Sequence, residues 1–206
     1  NKEILIHFNK SKSKAEGLKK ELEINGTKVY LVKADLSKET DVNKIIKFAK
    51  SKLKYFDCLI NNASLFEKDD LSNFSEKSFT KHINVNLKAA AVLIRDFKKF
   101  VKFREANIVN IIDQRIKKLT PFFLSYTLSK TGLATLTETA AMKLAPNIRV
   151  NAVSPGPTLK NKRQSEKHFR KQWKSTILKK KVDEKNVSSA VKFLINNSNI
   201  TGQIIN

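Results

Sequence analysis

Cysteine occurs once in this 206-residue chain, at Cys58, so no disulfide can close within it. A lone thiol in an apolar run fits a core position and a reducing compartment. No apolar run approaches the roughly 18–20 residues that cross a bilayer, and Asn1, Lys2 and Glu3 lack the basic-then-apolar layout of a secretory signal. A cytoplasmic protein without membrane contact is the expectation. His7, His82 and His168 share no ligand spacing with one another or with Cys58, which argues against a metal site. Internal repeats and low-complexity linkers are also missing, so residues 1–206 form one domain.

Acidic residues are scarce: 19 Asp and Glu face 41 Lys and Arg, for a net charge of +22. Such an excess ordinarily points to nucleic acid or an anionic surface. Here the bases are mostly Lys, accompany many Asn and Ile as an AT-rich coding sequence produces, and alternate with acids along helical stretches. No nucleic-acid-binding motif is present, and a solvated surface is the better account. The run 160–181, dense in Lys and Arg around Phe169 and Trp173, is the exception, able to draw an anionic ligand to a nearby pocket.

Hydrophobic residues make up 40% of the chain, enough for a full core. Apolar strand-like runs at 4–8, 29–32, 58–60, 108–112 and 148–153 alternate with helical periodicity at 13–24, 40–53, 75–103, 125–145, 165–178 and 184–195. Alternation of this kind predicts an α/β fold with a parallel sheet covered on both faces. The segment 75–103 contains no Pro or Gly and reads as one long helix. Ala89, Ala90, Val92, Ala134, Leu136 and Ala140 spread over more than one face of the helices at 75–103 and 125–145, which predicts a homo-oligomer, with a tetramer favoured.

The chemistry concentrates after residue 112. Tyr126 and Lys130 sit one turn apart on a predicted helix, with Asp113 upstream. A phenol ionises near pH ~10, and a cation within about 4–6 Å lowers that value, so a Tyr tuned in this way can exchange protons near neutrality. By itself Tyr-x-x-x-Lys is also a common accident of amphipathic helices. The surrounding motifs are Asn61-Asn62-Ala63-Ser64, Asn84-Val85-Asn86-Leu87 and Asn151-Ala152-Val153-Ser154-Pro155-Gly156. Their order and spacing resemble the short-chain dehydrogenase/reductase family along essentially the whole chain. Asp113 stands where the usual member carries Ser. Together with His7-Phe8-Asn9-Lys10-Ser11 and Asn62-Ala63-Ser64-Leu65-Phe66, that departure looks like the pteridine reductase branch.

The resemblance implies a Rossmann-like doubly wound parallel sheet binding NADPH. It also implies that the chain starts at the family's second strand, without the Gly-rich turn that receives pyrophosphate, and stops short of the family's C-terminal tail. On this reading the sheet is incomplete at both ends, and backbone groups are left unpaired between the strands at 4–8 and 57–62. The cofactor residues implied are His7, Lys10 and Ser11 beside the adenosine ribose, where a cation and a hydroxyl suit a 2′-phosphate. Asp35 and Leu36 match the adenine contact, though Ser37 and Asp41 nearby also suit an ordinary helix N-cap region. Asn62, Ala63 and Ser64 match the strand-end contact, with Pro155, Gly156 and Thr158 beyond the sixth strand. Phe66 is placed to stack on a flat heteroaromatic substrate against the nicotinamide, and is equally suited to a core. Asn86 opens the helix backbone toward Lys130.

In the activity implied, Tyr126 donates a proton, Lys130 lowers its pKa and binds the ribose, and Asp113 assists the relay. Reduction of C=N needs protonation at nitrogen, whereas an anion at Asp113 opposes the alkoxide formed from a ketone. Pteridine-like imines, of the dihydropterin or dihydrofolate class, are therefore favoured as the small-molecule substrate. The competing readings are a carbonyl reductase of the same family acting on acyl-carrier-bound ketones or small aldehydes, and a non-catalytic basic binding module or inactive fragment.

Overall fold

The computed structural model describes residues 3–53, 55–101, 105–161 and 164–206. Asn1 and Lys2, the end of the predicted long helix at 102–103, and residues 162–163 of the basic run lie outside them. In chain order the elements are β1 (Glu3–Phe8), α1 (Lys12–Ile24), β2 (Lys28–Lys33), α2 (Glu39–Lys52), β3 (Cys58–Asn61), α3 (Glu76–Ile83), a π-helical turn (Asn84–Lys88), α4 (Ala89–Phe100) and β4 (Ala106–Ile111). A 3-10 turn (Gln114–Ile116), α5 (Leu124–Leu144), β5 (Ile148–Val153), α6 (Glu166–Lys174), α7 (Glu184–Asn196) and β6 (Ile204–Ile205) complete the fold.

Local chemistry sets these boundaries. Val42, Ile45, Ile46 and Ala49 recur at helical spacing and form the buried stripe of α2, with Glu39 and Asp41 in its first turn and Lys50 and Lys52 in its last, as the helix dipole favours. Ser75, Ser165 and Asp183 cap α3, α6 and α7 by accepting the backbone N–H of Ser78, His168 and Lys185. β4 and β5 are buried almost throughout, as strands covered on both faces must be.

All strand pairs are parallel, which gives the predicted α/β, Rossmann-like architecture. The break expected between the strands at 4–8 and 57–62 is present: among the described residues β1 pairs with β2 alone, and β3, β4, β5 and β6 form a second sheet in that order. An open cleft of ≈ 2060 Å³ separates β1 from β3, lined by Leu5, His7, Leu59 and Ile60 below helices that supply Ile45, Ile46, Ala89 and Leu93. Contacts between α2 and α4 bridge the two sheets through a core of Val42, Ile45, Ile46, Ala89, Val92 and Leu93.

The predicted long helix is corrected, since the π turn at Asn84–Lys88 divides it. Gly132 lets α5 approach that turn closely, because a Cβ there would sit 2.7 Å from Leu87 Cδ2. The apolar residues behind the oligomer expectation are mostly satisfied inside the chain: Ala89, Ala90, Val92, Ala134 and Ala140 are buried where α4 and α5 pack on the sheet and on each other, and Leu136 packs against the same core. Cys58 is a structural thiol whose pKa burial pushes up to about 11, with Asp57 adding to the rise. Among the described residues no helix is long and apolar enough to cross a membrane, and no cluster of three or more His, Cys, Asp or Glu could hold a metal ion.

Candidate active site

The C-terminal ends of β3 and β4 and the first turns of α5 bring the chemical groups together. β4 delivers Asp113 just past its end, and α5 places Tyr126 so that its hydroxyl donates to Asp113 Oδ2 at 2.8 Å. Asp113 Oδ1 accepts from the Arg115 N–H at 2.9 Å, which holds the carboxylate while the chain turns into the 3-10 segment. The Tyr126–Asp113 pairing predicted from the motif is therefore direct.

The protonation chemistry differs from expectation. Burial, then the Asp113 charge, raises the Tyr126 pKa above the ordinary phenol value, while Arg115 and the Ser64 hydroxyl act in the opposite direction. Lys130 does not offset this. Its side chain is 2% exposed and its Nζ donates to the Ile111 carbonyl at 2.8 Å, 5.8 Å from the Tyr126 ring centroid. Burial pulls the Lys130 pKa down to about 8, against the attraction of Asp113. A phenol tuned downward by Lys130 is thus replaced by a neutral phenol that shares its proton with a carboxylate.

Asn86 serves the loop after β3. Its Oδ1 accepts from the Leu65 N–H at 2.7 Å and the Ser64 hydroxyl at 3.2 Å. Its Nδ2 donates to the Leu65 carbonyl and to Ser129 Oγ, both at 2.9 Å, and Ser129 in turn donates to the Tyr126 carbonyl. The helix widens into its π turn at this residue, as the resemblance implies, while the side chain ties loop 62–66 to α5. Below it a buried relay runs from Asn61 Nδ2 to Asn110 Oδ1, from Asn110 Nδ2 to Thr137 Oγ1, and from Thr137 to the Leu133 carbonyl.

Phe66 is 37% exposed and so is not fully buried. Its ring meets Tyr126 edge-on at 4.6 Å and stacks on Phe123 at 4.5 Å with 1° between planes. Phe123 opens α5 at φ 63°, a strained conformation for a non-Gly residue, and supplies no side-chain cap. Asp69 caps the helix from a distant loop instead. Its carbonyl accepts from Phe123 N–H at 2.6 Å and Leu124 N–H at 3.4 Å, and its Oδ1 accepts from Ser125 N–H at 3.2 Å. Asp69, Phe123, Arg115, Asn110 and Ser129 are the site residues that the sequence reading missed. A single Asp in a polar loop, 55 residues before the first residue of the helix it caps, gives no local signal.

The predicted cofactor residues fall into two groups. Lys10 and Ser11 are exposed at the end of β1. His7 is partly buried and donates to the Ala34 carbonyl at 2.8 Å, which ties β1 to the end of β2. Asp35 Oδ1 accepts from both the N–H and the hydroxyl of Ser37, bonds that lower its pKa, and Leu36 is buried. Across the cleft, Asn62, Ala63 and Ser64 are exposed at the end of β3. Pro155, Gly156 and Thr158 follow β5: a Cβ on Gly156 would meet Val182 at 3.2 Å, and the Thr158 hydroxyl donates to the Gly156 carbonyl. Beside them Ser154 Oγ is buried without a hydrogen-bond partner among the described residues.

Residues 3–206 match the family model described as enoyl-(acyl carrier protein) reductase. The chain belongs to the short-chain dehydrogenase/reductase family. Among solved structures of this family, it superposes on FolM alternative dihydrofolate reductase 1 from Brucella canis, complexed with NADP, with a TM-score of 0.92 and 38% identity over 98% of this chain and 80% of that one. The Brucella suis FolM, also an NADP complex, gives the same TM-score and identity over 98% and 81%. The 3-oxoacyl-[acyl-carrier-protein] reductase FabG of Staphylococcus epidermidis is 30% identical over 155 residues, 74% of this chain and 64% of that protein's length.

Proposed function

We propose that this short-chain reductase chain uses NADPH to reduce a C=N bond of a pteridine-like ring of the dihydropterin or dihydrofolate class. The observation behind this reading is the 2.8 Å contact of Tyr126 with Asp113 in place of the expected Ser. Its similarity to the FolM structures supports the same reading, and the FabG similarity keeps acyl-carrier-bound ketones as the second one. Lys130 and the unpartnered Ser154 hydroxyl suit the nicotinamide end of the cofactor, and the exposed Lys10 and Ser11 suit a 2′-phosphate. Bound NADPH supplies the hydride.

The chain's own residues manage the proton. As hydride adds to carbon, the C=N π pair moves to nitrogen, which needs one proton. Delivery by Tyr126 with Asp113 ionised would leave a phenolate beside a carboxylate, the arrangement that the raised Tyr126 pKa disfavours. The pair works instead by taking a second proton from solvent, giving one to nitrogen and returning to its singly protonated form. Because the step takes a proton from solvent, turnover of a dihydropterin should fall as pH rises. Replacing Asp113→Ser should remove that slope, cut dihydropterin turnover and raise turnover of ketones. An unmutated enzyme that prefers ketones, with the Ser variant unchanged, would sink the pteridine reading.

A further inference from the structure

Arg115 lies one aromatic ring beyond the proton-transfer pair. Its guanidinium sits 4.4 Å from the Phe123 ring centroid and 5.9 Å from that of Phe66, whose other neighbour is Tyr126. One amino group donates to Thr120 Oγ1 at 2.8 Å. Among the described residues no carboxylate lies within ion-pair distance of it. Lys68 stands over the adjacent Phe122 at 4.8 Å, so two consecutive aromatics each bear a cation. A guanidinium has five donors in a fixed fork that matches a carboxylate, and here the Thr120 bond and the ring face fix its plane.

We infer that Arg115 forms a subsite for a carboxylate on the substrate's side chain, so that the site selects flat heterocycles with an anionic tail over those with a neutral one. The inference rests on the pteridine reading above and deepens it. A ring seated beside Phe66 and Tyr126 lies within reach of the Arg115 guanidinium, 5.9 Å from the Phe66 ring centroid and held next to the Phe123 ring. A tail leaving the ring toward Phe123 meets the guanidinium. Desolvation by the aromatic rings strengthens the pairing relative to an exposed ion pair.

The test is calorimetry with dihydrofolate, whose tail carries carboxylates, and dihydrobiopterin, whose tail is neutral, in the presence of NADP+ so that no turnover intervenes. Dihydrofolate should bind at least ~10-fold more tightly, an advantage that shrinks in high salt. Arg115→Gln should weaken dihydrofolate ~10-fold and dihydrobiopterin less than ~2-fold, and Arg115→Lys should recover part of the loss. Thermal melts of both variants report folding separately. Equal loss for both pterins overturns the subsite, because Arg115 then acts on the ring alone, and equal loss of NADP+ makes it a cofactor contact. If neither pterin binds while NADP+ does, the pteridine reading itself fails.

Discussion

The two sheets are made from the same βα units and differ in how many neighbours their strands have. β4 pairs on both edges and is buried at five of its six positions, whereas β1 pairs on one edge and has no fully buried residue among those six. Composition does not explain this, since Glu3-Ile4-Leu5-Ile6-His7-Phe8 is no less apolar than Ala106-Asn107-Ile108-Val109-Asn110-Ile111. Strand burial here follows from the ladder and the covering helices. Ile4 and Ile60, on strands with one unpaired edge, are 38% and 46% exposed. The division also separates the residues of the proposed function. Tyr126, Asp113, Lys130 and Asn86 belong to the larger sheet and its helices, and Lys10 and Ser11 belong to the smaller.

The sharpest separation of the two regions comes from Tyr126→Phe. It removes the hydroxyl that donates to Asp113 and keeps the ring that meets Phe66. Dihydropterin turnover should fall by about 10³-fold or more, in the range of a lost acid–base group, while NADPH affinity from fluorescence titration stays within ~3-fold. A matching loss of NADPH affinity would show that the two regions are not functionally separable.

Hydrogen exchange tests the same contrast without chemistry. Amides of β4 and β5 should open with the global unfolding of their sheet, and those of β1 and β2 by local opening, with protection lower by on the order of 10²-fold. The bridge between α2 and α4 is the feature that works against this difference. Equal protection in both sheets would mean that the bridge couples them into one cooperative unit.

The parts of this arrangement legible in the sequence were those that repeat locally. Strand–helix alternation predicts every long element, and the Tyr126–Lys130 spacing puts these two on one helix face, because helical periodicity is a property of short windows, while the family resemblance adds Asp113 to them. What stayed hidden depends on distant partners. The π turn is invisible to apolar periodicity, and at Asn86 it is tied to Leu65 and Ser129. The two-residue β6 is too short to register as a pattern. Asp69 capping α5 and Phe123 stacking on Phe66 require knowing which loops meet. The raised Tyr126 pKa is not legible in the Tyr–Lys spacing, because burial outweighs a Lys that bonds elsewhere.

The smallest predicted effect belongs to the smaller sheet. Ser11 occupies the N-cap position of α1, yet its side chain makes no capping bond, so its hydroxyl is not committed to the helix. Lys10 beside it is exposed, and the first backbone N–H groups of α1 add the positive end of a helix dipole. A cation, a hydroxyl and a helix N-terminus suit the 2′-phosphate that distinguishes NADPH from NADH. One charge-assisted contact of about 1.4 kcal/mol gives a ~10-fold preference for NADPH in titrations of the two cofactors. Lys10→Glu should reverse that preference by repelling the phosphate and accepting from the free ribose hydroxyls. Turnover at saturating cofactor should stay within ~2-fold, because Tyr126 and Asp113 stand on the other sheet. Equal affinities for NADPH and NADH in the unmutated protein would remove Lys10 and Ser11 from the cofactor site.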